Sequence, residues 1–166
     1  MAAPVWSVGQ VLTASDVNTW FVPLAAAKLT SQSVTSSTTL VNDADLVLAV
    51  AANATYDFAC QLFYIAAAGG DIKWTWSVPA GSGILYQNLH NEGGGTGLAN
   101  ACVANSDADT PTAAGGGSTT EAARMTGTMT TSSTTGNAQL RWAQNASSAT
   151  ATQVRAKSSL ILRRTG

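Results

Sequence analysis

Charge is what this sequence has least of. Charged residues make up 10% of its 166 positions, against about 25% in an ordinary globular domain. The formal net charge is -1, which excludes the basic balance of a nucleic-acid-binding surface. The late basic residues Arg141, Arg155, Lys157, Arg163 and Arg164 read as a solvated strand face and tail. Low charge density weakens the repulsion that keeps free monomers apart. The composition therefore suits a protein held in fixed contacts with copies of itself.

Reactive side chains are equally scarce. His90 is the only histidine, and a hydrolytic triad needs a histidine beside a nucleophile and an orienting acid. Glu92 is near in sequence, but no nucleophile elbow accompanies it, so His90 is expected on a surface loop. Two cysteines and one histidine fall short of the four ligands of a structural zinc site. Asp43 with Asp45, and Asp107 with Asp109, lack a calcium-loop pattern and read as turn residues. The glycine triplets at 93–95 and 115–117 match no phosphate-binding motif. No catalytic residue, metal or cofactor is expected.

Cys60 and Cys102 allow at most one disulfide, and Cys60 sits in an apolar alternating run as a small core residue. The longest apolar stretch, 46–52, is too short to cross a membrane. The N-terminus lacks the basic and apolar regions of a signal peptide. The chain is thus expected in the cytosol, leaving it only within an assembly or by lysis.

What is present falls into two parts. In residues 1–29, Thr13-Ala-Ser-Asp16 is a capping box, and Leu12 and Val17 stand at staple positions. Val17, Trp20, Phe21 and Leu24 are spaced to share one helix face. Pro23 stops the helix, which is expected over about 14–22. Trp20 and Phe21 need a surface, either their own domain or a neighbouring subunit. Together with Trp6 they are the candidate assembly contacts.

From residue 30 the period becomes two. Residues 30–39 read as a linker or edge strand. Leu46, Leu48 and Val50 alternate, and Tyr56, Phe58, Cys60, Leu62 and Tyr64 line one face of a long strand. Ile72, Trp74, Trp76 and Val78 alternate next, so the two runs read as a hairpin giving large aromatics to the core. Tyr86 and Trp142 are less constrained and are open to a glycan or peptide platform. A short strand is expected at 84–89, followed by glycine-rich loops over 90–122 with another strand at 98–103 between the glycine triplets. Three more follow, around Met125, around Leu140, and from Val154 to Leu162. The expectation is an all-β domain over 30–166, a single antiparallel β-sandwich with jelly-roll-like connectivity, carrying a short N-terminal helix or arm. An immunoglobulin-like sandwich ranks below it, because Asn100 stands where the conserved tyrosine would precede Cys102.

The opening segment at 6–19 (WSVGQVLTASDVNT) resembles the start of small virion proteins of tailed phages infecting actinobacteria. Similar phrases occur at 34–40 (VTSSTTL), 46–56, 76–81 (WSVPAG), 141–145 (RWAQN) and 156–162 (AKSSLIL). The resemblance spans nearly the whole chain in short phrases and involves no catalytic signature. The glycine-rich insert at 93–117 is the main departure. The resemblance implies a capsid decoration, head-fibre or minor tail subunit, displayed on the virion and associating as a homotrimer. Its arm would dock to major capsid or tail proteins. A tail location would imply a host-surface glycan as partner, with no role for nucleic acid or membrane.

Overall fold

In a computed structural model, residues 4–91, 98–104 and 110–166 are described. The Gly93–Gly95 triplet, Glu92, the Asp107–Asp109 pair and the Cys102 side chain lie outside what is described.

The described residues form an all-β fold, with two packed antiparallel sheets and one short helix, α1, at Ala14–Trp20. In order, its strands are β1 (Leu24–Ala27), β2 (Gln32–Val34), β3 (Val41–Val50), β4 (Thr55–Ile65), β5 (Ile72–Ser77), β6 (Gly83–Asn91), β7 (Leu98–Ala104), β8 (Thr112–Ala113), β9 (Glu121–Thr130), β10 (Gly136–Ala143), β11 (Thr152–Val154) and β12 (Ser159–Arg164). One sheet runs β3-β10-β5-β8. The other runs β1-β12-β4-β9-β6-β7, with β11 joining β4 to β2. Between β3 and β10 the pairs nest: β3 with β10, β4 with β9, β5 with β8, and β6 with β7. The strands from the two ends of the chain, β1 and β12, pair with each other and extend the larger sheet beside β4.

Alternation drives this arrangement. Tyr56, Phe58, Cys60, Leu62 and Tyr64 are all buried along β4, while their odd-numbered neighbours are half-exposed. From the facing sheet, Trp74, Trp76, Leu140 and Trp142 fill the space between the layers. Phe58 meets Trp76 edge-on at 4.7 Å, and Tyr64 meets Trp74 at 6.4 Å. Burying each tryptophan contributes on the order of 4–6 kcal/mol of gross transfer free energy.

Several expectations need correction. The β4 and β5 runs are not a hairpin, since they belong to opposite sheets and residues 66–71 arch between them. Both arrangements place the same aromatic parity inward, so periodicity alone cannot separate them. The helix stops at Trp20, with Phe21 as its C-cap. Leu24 therefore leaves the helix face and enters β1, so residues 24–27, expected in the arm, are hydrogen-bonded into the larger sheet. The run from Val154 to Leu162 is two strands, interrupted where Lys157 takes a positive φ of 75°. Buried Ser158 bridges that break, its Oγ donating to the Arg155 carbonyl and accepting from the Phe63 N–H.

The second glycine triplet does more than loosen a loop. Gly115 is buried, and a Cβ there would stand 2.4 Å from the Ala66 carbonyl oxygen. Its N–H donates to Asp71 Oδ1 at 3.0 Å, and the Gly117 N–H donates to the Ala66 carbonyl at 3.0 Å. The backbone here lies directly on the β4–β5 arch, where only glycine fits.

Candidate functional site

The N-terminal segment gathers Trp6, Trp20 and Phe21 at one end of the sandwich. The helix that positions them starts with the expected reciprocal cap. Thr13 Oγ1 accepts from the Asp16 N–H at 3.1 Å, and Asp16 Oδ2 accepts from the Thr13 N–H at 2.9 Å. The Thr13 hydroxyl also donates to Asp16 Oδ2 at 2.7 Å, and this bond first, then that from the Thr13 N–H, holds the Asp16 carboxyl below its ordinary range. Helix α1 buries none of its residues. Trp6 and Phe21 stack with centroids 6.2 Å apart, and the Arg164 guanidinium lies 4.6 Å over the Trp20 ring. The three rings, with Pro4, Arg163, Arg164 and Thr165, line an open depression on the surface. Phe21 remains 57% exposed.

All three proposed contact residues are thus brought together. They rest on the tail of β12, and the surrounding chain adds the exposed Val5, Val8, Val11 and Val22. An apolar arm this poorly covered is unusual for a surface left in water.

The glycan-platform candidates lie elsewhere. Tyr86 and Trp142 are both buried, Tyr86 at 3% exposure, alongside the core residues Trp74 and Trp76. His90 is not on a surface loop either. It closes the inward-facing row Ile84, Tyr86, Asn88 and His90 of β6, where Asn88 Nδ2 lies 3.1 Å from its Nδ1 and Trp74 packs edge-on at 5.9 Å. Glu121 is also buried. Burial first, then the charge of Glu121, pushes the Tyr64 hydroxyl up in pKa. Cys60 is a free buried thiol, its pKa pushed up by burial and secondarily by Asp43. Among the described residues, no group of three or more His, Cys, Asp or Glu is placed to hold a metal.

A second polar centre was not foreseen. Lys28 and Asp43 form an ion pair at 3.0 Å, both side chains fully buried. Asp43 stands at an irregularity in β3, where the pairing with β10 jumps from Val47 to Asn42. Its Oδ1 accepts the N–H groups of Asp45 and Leu46, and its Oδ2 accepts from Trp142 Nε1 at 3.2 Å. Asp45 Oδ2 is 3.5 Å from Lys28 Nζ. The signal was present in the close pair Asp43 and Asp45, but a lysine 15 residues away cannot be paired with them by local pattern.

Comparisons with protein-family models, with curated proteins and with solved structures found no match to this chain.

Proposed function

We propose that this chain is a non-enzymatic accessory subunit of a phage particle, displayed on the capsid and attached through its N-terminal arm. The cluster of half-buried Trp6 and Trp20 with exposed Phe21, gathered around a helix that buries none of its own residues, is the observation that supports this reading most. Burying such aromatics against a neighbouring subunit would remove them from water and anchor the domain. The likeness of residues 6–19 to the openings of small virion proteins points the same way.

We read the sandwich further as a jelly roll, extended on one sheet by β1, β2, β11 and β12. Its support is the nested pairing of β3 through β10 across two sheets. Jelly rolls recur in viral capsid and lectin domains, which strengthens the reading by analogy of fold.

Copies of the chain would associate as a homotrimer through the outer face of the larger sheet. That face carries Leu85, Leu89 and Ile161 exposed, beside Ala59, Gln61 and Thr126. Arg124 and the Asp57–Arg163 pair also lie on it, and its exposed apolar side chains would pack against a like surface.

A reconstruction of the intact particle tests the proposal. The expected result is density for this chain on the shell, in many copies, with the arm turned towards the capsid. Density confined to the tail would overturn the capsid assignment, and a particle without the chain would overturn the virion role.

A further inference from the structure

The Lys28–Asp43 centre has the parts of an acyl-transfer site, and nothing in an attachment role requires them. Lys28 Nζ is 3.0 Å from both Asp43 Oδ1 and Asp43 Oδ2. A nitrogen this close to both oxygens of a carboxylate is held within about 3.4 Å of its carbon, the range of a near-attack contact once the amine rises above the carboxylate plane. Two backbone N–H groups, of Asp45 at 3.0 Å and Leu46 at 2.9 Å, already point at Oδ1. Paired donors on one oxygen are what an oxyanion hole supplies. Trp142 Nε1 fixes Oδ2, and Gln139 Nε2 holds the Asp43 carbonyl at 2.9 Å. Asp45, with its side chain 26% exposed, stands between the amine and solvent at 3.5 Å.

We propose that Lys28 and Asp43 condense into an intramolecular isopeptide bond. Transfer of one proton from the Lys28 ammonium to Asp43 Oδ2 gives an amine and a carboxylic acid. The Nζ lone pair attacks Cγ of Asp43, forming the N–C bond and placing negative charge on Oδ1, under the Asp45 and Leu46 N–H groups. The Asp45 carboxylate takes the proton released by nitrogen and returns it to Oδ2. The Cγ–Oδ2 bond breaks, water leaves, and an amide joins the two side chains. One water is lost, and no oxidant or co-reactant is needed.

The bond would tie the end of β1 to β3, from the opposite sheet. Tension arriving through the N-terminal arm would then meet a covalent link at Lys28, four residues after Leu24, where β1 begins.

Mass spectrometry of the intact full-length protein, with peptide mapping, tests the proposal. The expected mass is one water below that of the sequence, with a branched peptide joining Lys28 to Asp43. The Lys28→Met variant should keep its full mass, and Asp45→Asn should link more slowly by about a hundredfold. Full sequence mass after prolonged incubation of the folded protein would overturn the proposal. So would a lost water that persists in Lys28→Met, because it would then come from cyclisation of an aspartate. Equal linking rates in Asp45→Asn and the parent chain would remove Asp45 from the mechanism.

Discussion

Phe58 and Tyr86 meet across Gly127, their ring centroids 5.9 Å apart at an angle of 60°. Both residues are in register with this glycine, one from β4 and the other from β6, on either side of β9. The glycine's missing side chain lets the two rings cover the strand between them. A Cβ at 127 would stand 2.0 Å from the Leu85 carbonyl oxygen and 2.6 Å from Tyr86 Cα.

Gly127→Ala is therefore expected to destabilise the fold by about 2–3 kcal/mol, as overpacking between fixed backbones does. Urea unfolding followed by tryptophan fluorescence measures it. Thr128→Ala, on an exposed neighbour, should shift the midpoint little.

Removing Asp43 leaves the buried Lys28 amine with only the longer contacts to Asp45, at 3.5 Å, and Gln32, at 3.4 Å. Asp43→Ala should cost at least about 3 kcal/mol, and it also strands the Trp142 indole N–H. The double variant Lys28→Met/Asp43→Leu should recover part of that loss, since apolar replacement removes both buried charges. Chemical denaturation of the single and double variants supplies the comparison.

These two sites also show what could be read from sequence. The parity of Tyr56 to Tyr64, and of Trp74 with Trp76, located the core because burial imposes a period of two. The capping box of Thr13 and Asp16 was legible because all its atoms lie within four residues. Trp142 was left unassigned because its partner, Asp43, is distant in sequence. His90 was misplaced because polar residues near a glycine run look like loop, although β6 continues through it. The need for glycine at 115 is not legible in the sequence, because its close approach to Ala66 leaves no local trace. Helical spacing points to Trp20 and Phe21, whereas Trp6 lies outside the helix and its stacking on Phe21 joins residues that no local pattern links.

The cap of α1 should respond to acid. The Asp16 carboxyl is lowered in the folded chain, so its contribution is full above the usual carboxylate range and is lost as pH falls through the lowered value. Thr13→Ala should weaken the pH response, leaving the part due to the residue-13 backbone N–H, and fray the helix, a cost of about 1 kcal/mol in local stability. Amide hydrogen exchange across residues 14–20, compared at neutral and acidic pH, reads both effects.

Cys60 should resist alkylation in the native state, since the thiol is buried and its pKa is pushed up. Peptide mapping after iodoacetamide treatment should show Cys60 unmodified until denaturant is added. Rapid native labelling at that position would mean that β4 opens far more readily than its central place in the sheet implies.

Co-sedimentation with particles lacking this subunit tests most directly whether the aromatic arm is the attachment device. The full chain should pellet with the particles, while Trp20→Ser/Phe21→Ser should stay in the supernatant yet unfold within about 1 kcal/mol of the parent. A folded double variant that pellets as tightly as the parent would contradict the account.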